Sequence, residues 1–227
     1  MKWIDSTDLR NWAIRRDCQE TLPLLVRKLI RATSYTIKNI KFPSGDSVLL
    51  GGWDGILEVT QETAYLPVGV SLWEFGTSND TKGKADDDYA KRSKNSLGFN
   101  PAESTFIFVT PRLWQKGGDW IAEKKKDNIW KDIKVFNSET LEEWIETAPT
   151  VGAWLSKHIG KYPQGGIQPT DDFWEEWSSG IKLTLNTDIL LGGREVEKEK
   201  VIKLIEQPSI SYPHGQELKI FLILYPL

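Results

Sequence analysis

The chain has 227 residues, a formal net charge of −3, 39% hydrophobic and 27% charged residues, the composition of a globular protein long enough for one full core and a second small unit. Its single cysteine, Cys18, excludes an intrachain disulfide and a Cys-rich zinc site. No stretch approaches the roughly 20 apolar residues of a membrane span, and the charge-broken N-terminus MKWIDSTDLRNWAIRRD is not a signal peptide, so the expected location is the cytoplasm, without membrane partners.

In chain order, QETLPLLVRKLIRAT (19–33) reads as an amphipathic helix. Leu22, Leu25, Val26, Leu29 and Ile30 form its apolar stripe, and Pro23 fits a first turn. The segment TIKNIKFPSGDSVLLGGWDGILEVT reads as strand, turn, strand, and GVSLWEF (69–75) as a third strand. Residues 84–96 read as a helix, with Asp86 to Asp88 in the first turn and Lys91, Arg92 and Lys94 in the last. STFIFVT (104–110) is an apolar, buried type of strand, 117–128 a helix and DIKVF (132–136) another strand. Ser138 is the expected N-cap of the helix in ETLEEWIETA, and a further helix begins near Val151.

The order α-β-β-β-α-β-α-β-α predicts an α/β mixture built round one mixed sheet over residues 1–160. GKYPQGGIQP (160–169) reads as a linker. Residues 161–227 then hold a short helix at TDDFWEEWSSG, a strand at DILLGG and a helix near EVEKEKVIKLIEQ. The apolar ending KIFLILYPL suggests a longer protein interrupted there. Most of the eleven Trp are assigned to cores.

The slight acidity argues against a broadly basic nucleic-acid binder, but basic residues cluster locally. One group is Lys82, Lys84, Lys91, Arg92 and Lys94; the other is Lys124 to Lys126 with Lys131 and Lys134. Either reads equally well as a solvated helix face. No Walker or dinucleotide-binding glycine motif is complete. His158 and His214 are too few for a His-based site, and Ser71 and Ser78 lack a base.

Two carboxylates carry the chemistry. Asp54 in GGWDGILEV and Glu74 in VSLWEFGTS fall on neighbouring predicted strands, where antiparallel pairing can bring them to one edge. Close carboxylates repel unless a cation lies between them, and oxygen donors of this kind suit Mg²⁺ or Mn²⁺. Read singly, Asp54 is an Asp-Gly turn residue and Glu74 a solvated strand residue. Strand alternation puts Trp53 and Trp73 on the face opposite the acids.

With the flanking segments LPLLVRKLIRAT, FPSGDSVLLGGWDGILEV, LPVGVSLWEFGTS, KADDDYAKR and VFNSETLEEWIE, the chain resembles the PD-(D/E)XK (restriction-endonuclease-like) superfamily over residues 15–160. It is similar to the N-terminal effector domains of bacterial antiphage STAND-type NTPases. The resemblance implies an αβββαβ core with a mixed central sheet flanked by helices, and an Mg²⁺- or Mn²⁺-dependent deoxyribonuclease with Asp54 and Glu74 as metal ligands. A homodimer would serve to cut both strands.

The motif lysine, due two residues after Glu74, is replaced by Gly76. Lys84 is the first candidate to supply it from the following helix and Lys82 the second; either is otherwise a surface lysine. Glu20 is a further candidate acid or a first-turn helix residue, and Asp88 is positioned to orient Lys84. Lys82, Lys91 and Arg92 are the expected contacts to DNA phosphate. The missing lysine also leaves open a catalytically silent nucleic-acid-binding or interaction module, or an assembly domain docking onto a partner NTPase.

Overall fold

The computed structural model describes residues 2–43, 52–161 and 192–206. The chain divides into two compact units, Met1–Tyr162 and Pro163–Leu227. The first contains α1 (Ser6–Trp12), α2 (Arg16–Thr33), β1 (Ile37–Lys41), β2 (Gly55–Val59), β3 (Gly69–Phe75), α3 (Thr81–Lys94), β4 (Ser104–Val109), α4 (Gly117–Lys125), β5 (Asp132–Phe136), α5 (Ser138–Glu146) and α6 (Pro149–Ile159). In the second, the described residues hold one helix, α7 (Glu195–Glu206). The expected helix at TDDFWEEWSSG, most of the strand at DILLGG, the apolar ending and the turn at residues 44–51 lie outside the described residues.

The five strands form one mixed sheet in the order β1-β2-β3-β4-β5. β1, β2 and β3 pair antiparallel, whereas β3, β4 and β5 run parallel. The parallel strands are connected through α3 and α4, as parallel crossovers require. β4 is buried at every position, the pattern of a central strand covered on both faces.

Alternation along the strands divides the core in two. On one face Leu57, Val59, Trp73, Phe75, Ile107, Val109 and Phe136 pack with apolar residues of α1, α2, α5 and α6. The predicted stripe of α2 is buried in full, and its side chains fill this layer. On the other face Leu72, Phe106, Phe108 and Ile133 pack under Ala85 and Tyr89 of α3 and Trp120 of α4. No described helix is long and apolar enough to cross a membrane.

Several local expectations are corrected. The helix expected from residue 19 begins at Arg16, so Pro23 lies inside α2 rather than in its first turn. α1 is absent from the expected elements. Its polar sequence is closed by a reciprocal Asp5–Asp8 capping box, and the amide of Ser6 donates to Glu142 of α5. α3 begins at Thr81, capped by the Asp80 carboxylate accepting from the Gly83 amide at 2.8 Å. Its first turn therefore holds no acid, and Asp86 to Asp88 sit in its middle. Asn137, not Ser138, caps α5, accepting from the Glu139 and Thr140 amides.

Candidate active site

The site is set by strand register. Gly55 pairs with Trp73 and Ile56 with Leu72, and Asp54 stands immediately before that pairing, at the entry to β2. Asp54 is fixed to β3 by its own carboxylate, which accepts from the Phe75 amide at 2.9 Å. Glu74 continues the alternation of Val70 and Leu72, so it faces α3, where Arg92 meets it, and Asp54 is near enough for its charge to be felt by the Glu74 carboxyl.

α3 carries the rest of the cluster. Lys84, Asp88 and Arg92 recur at i, i+4 and i+8 and present one stripe to the sheet. Asp88 accepts from the Lys84 ammonium at 2.7 Å. Its second carboxylate oxygen is buried without a hydrogen-bond partner, an expensive arrangement for a charged acceptor. Arg92 donates from Nε to Glu74 and from a terminal nitrogen to the Gly52 carbonyl. Its guanidinium also lies 4.7 Å from the centroid of the Trp53 ring, a cation–π contact.

Electrostatics tie these groups together. Burial and then the negative charge of Asp54 push the Glu74 carboxyl up to about 8, against the pull of Arg92. Burial also raises Asp88, opposed by Lys84 and reinforced by Asp54. The three acids thus sense one another across the β2–β3–α3 junction.

Gly76 has a structural role. A Cβ built there would lie 2.6 Å from the Phe108 ring and 3.0 Å from Cγ of Lys84. The stem of Lys84 therefore occupies the space a side chain at position 76 would fill.

The other sequence candidates fall elsewhere. Glu20 is exposed on α2 and makes no hydrogen bond or ion pair among the described residues; it does not join the cluster. Lys82 pairs with Asp86. Lys91 is exposed and unpaired among the described residues. Arg92, expected at phosphate, is 4% exposed and engaged with Glu74 and Gly52, so it presents nothing to a ligand in this conformation. Trp73 lies on the far face as expected, but Trp53 packs on the same face as the acids. Residues 52–54 form a bend before β2, where strand alternation does not apply.

Two of the five lysines of the second basic group are paired with acids: Lys124 bridges to Asp86 and Lys125 to Asp132. Sequence reasoning misses the engagement of Arg92 with Glu74, although the i, i+4, i+8 spacing of Lys84, Asp88 and Arg92 is visible in the sequence.

As a metal site, the chemistry of the donors fits Mg²⁺ or Mn²⁺: Asp54, Glu74 and the unpartnered oxygen of Asp88 are carboxylate donors, and Mg²⁺ needs only one or two carboxylates, although Asp54 accepts from the Phe75 amide and Glu74 from Arg92. Among the described residues no three His, Cys, Asp or Glu side chains converge to hold a metal ion. No protein-family model, curated protein or solved structure matches the chain.

Proposed function

We propose that the first unit is a metal-dependent nuclease domain of the restriction-endonuclease-like PD-(D/E)XK type, cleaving DNA phosphodiester bonds as the effector part of a bacterial defence protein. The observation that supports this reading is Asp54 anchored at the entry to β2 by the Phe75 amide, near enough to Glu74 to raise its carboxyl, with the stem of Lys84 beside Gly76. Asp54 and Glu74 would hold Mg²⁺ or Mn²⁺, which supplies Lewis-acid polarisation of water and phosphoryl oxygen. Lys84, steadied by Asp88, carries positive charge towards an approaching phosphate and stabilises the charge that develops on it. Asp88 acts through Lys84 and is a positioning residue.

The test is cleavage of plasmid DNA with Mg²⁺ or Mn²⁺ by the full chain. Asp54→Asn and Glu74→Gln should each lower the rate on the order of a thousandfold with the circular dichroism spectrum unchanged. A folded Asp54→Asn protein that cuts at the wild-type rate would refute the assignment.

A second reading rests on a specific observation. Each acid is already engaged: Asp54 by the Phe75 amide, Glu74 by Arg92 and Asp88 by Lys84. Arg92 can serve as a permanent internal cation in place of a metal, which gives a catalytically silent interaction module on the same fold. Nucleic-acid binding by gel shift, with no metal-dependent cutting under any condition, would favour it.

A further inference from the structure

Beside the acidic cluster lies an open groove of about 520 Å³ that the cluster does not use. Arg27 and Arg31 of α2 and Lys41 of β1 line it, with Trp53, Leu97 and Phe99. Its described lining residues include three cations and no carboxylate, in a chain of net charge −3. Arg31 and Lys41 are exposed and without ion-pair partners among the described residues, and Arg27 reaches the Phe42 carbonyl at 3.4 Å. Such a concentration of one sign is an anion-attracting surface.

The groove adjoins the acids. Its wall includes Gly52, whose carbonyl accepts from the same Arg92 that holds Glu74, and Trp53 immediately precedes Asp54. The lip carries an independent anomaly. Leu97 has φ 55°, a left-handed conformation costly for a branched side chain, and is 45% exposed. The strain is held by the Asn95 side chain accepting from the Leu97 amide at 3.1 Å. Neighbouring Ser96 accepts from the Trp53 indole at 3.1 Å. Folding gains little from an apolar side chain held outward in a strained backbone, whereas a ligand with an apolar face gains contact.

We propose that this groove binds an unpaired segment of a nucleic-acid strand, with Arg27, Arg31 and Lys41 on its phosphates and Leu97 and Phe99 against base faces. Cations that track a backbone beside side chains that cover bases are the mode of single-strand recognition. The volume falls in the range of roughly 300–1,000 Å³ typical of small-ligand sites, enough for a nucleotide or two and not for a duplex, whose base faces are in any case stacked away. The inference deepens the nuclease reading by naming the form of its substrate, and depends on that reading only for the cleavage step, not for binding.

The test separates the two. Fluorescence anisotropy is measured on the full chain in EDTA, with labelled oligo(dT) of about ten nucleotides and a duplex of equal length, across a range of salt concentrations. The single strand should bind more tightly than the duplex. The double substitution Arg31→Ala/Lys41→Ala should weaken single-strand binding and reduce the slope of log affinity against log salt by about 1.4, at roughly 0.7 per lost phosphate contact. Phe99→Ala should weaken it about tenfold with the slope unchanged, and Arg27→Lys should largely retain it. Thermal midpoints of all variants check the fold.

Variants that match the wild type in affinity and slope would overturn the groove, as would a duplex bound as tightly as the single strand, or no binding by the wild type. Groove-dependent binding without cutting in Mg²⁺ or Mn²⁺ keeps the groove and removes the nuclease. Metal-dependent cutting that is unchanged in the groove variants does the reverse.

Discussion

The two faces of the sheet are built on different principles. The face under α1, α2, α5 and α6 is mainly aliphatic and aromatic and holds no buried charge among the described residues, with Trp73, Phe136 and Trp144 packed together at its centre. The face under α3 and α4 is also aromatic, but it holds Glu74, Asp88 and Arg92, the three buried charged residues among those described. Buried ions cost desolvation that their pairing often fails to recover, and the first face shows that this fold packs well without them. The difference separates a face packed without buried charge from one that keeps three buried charged side chains among the described residues.

The comparison breaks first if the apolar face does not dominate stability. Trp144 is fully buried, stacks with Tyr65 at 5.0 Å and donates to Thr33 at 3.0 Å. Trp144→Ala should cost about 3–5 kcal/mol, read as a lower urea midpoint and early thermal unfolding. A loss under about 1 kcal/mol would mean that this layer is not the stabilising one.

The charged face should respond differently to single and double substitution. Arg92→Met leaves Glu74 buried without its partner and should cost about 3 kcal/mol above about pH 8, where Glu74 is ionised in the fold, and less at neutral pH. Adding Glu74→Met should recover most of that loss, because two apolar side chains of similar size replace a desolvated pair. Acidity gives a second handle. The Glu74 carboxyl is raised in the folded state to about 8 from an ordinary 4.5, mainly by burial and then by Asp54. Its contribution to stability is therefore fully present below about pH 4.5 and is lost as pH rises through about 8. Glu74→Gln should flatten that part of the stability–pH curve. An unchanged slope between pH 5 and 8 would show that Glu74 is not the titrating group.

The same division explains what can be read from the sequence. The apolar face is legible: the stripe of α2 at 22, 25, 26, 29 and 30 is buried as its spacing demands, and β3, β4 and β5 lie where β-branched and aromatic runs put them. α1 is not legible, because its cap and the Ser6–Glu142 contact, rather than periodicity, define it. On the charged face, the nearness of Asp54 to Glu74 is legible from two short strands and the turn between them. The side of Trp53 does not, since a bend before β2 overrides alternation. Arg92 reads as a surface cation because composition does not reveal depth; only the crossing of α3 over the sheet brings its stripe down onto Glu74.

The smallest change tests whether the two faces differ in purpose as well as composition. Gly76 ends the Val70, Leu72, Glu74 row on the charged face, and its amide donates to the Val109 carbonyl at 2.9 Å. A methyl group there meets the buried Phe108 ring at 2.6 Å and Cγ of Lys84 at 3.0 Å. Phe108 is enclosed in the core and has little room to move, whereas Lys84 is a flexible stem with 40% of its side chain exposed, so Lys84 is the group displaced. Gly76→Ala should therefore cost about 1–2 kcal/mol by overpacking but lower DNA cleavage by more than that loss of folded protein explains. Lys84→Ala should remove the same activity with less effect on stability, and combining the two should add little further loss of cleavage, because both act on one ammonium. If Gly76→Ala unfolds in proportion to its loss of activity, and Lys84→Ala cuts normally, the glycine is only a packing solution and the charged face loses its claim to chemistry.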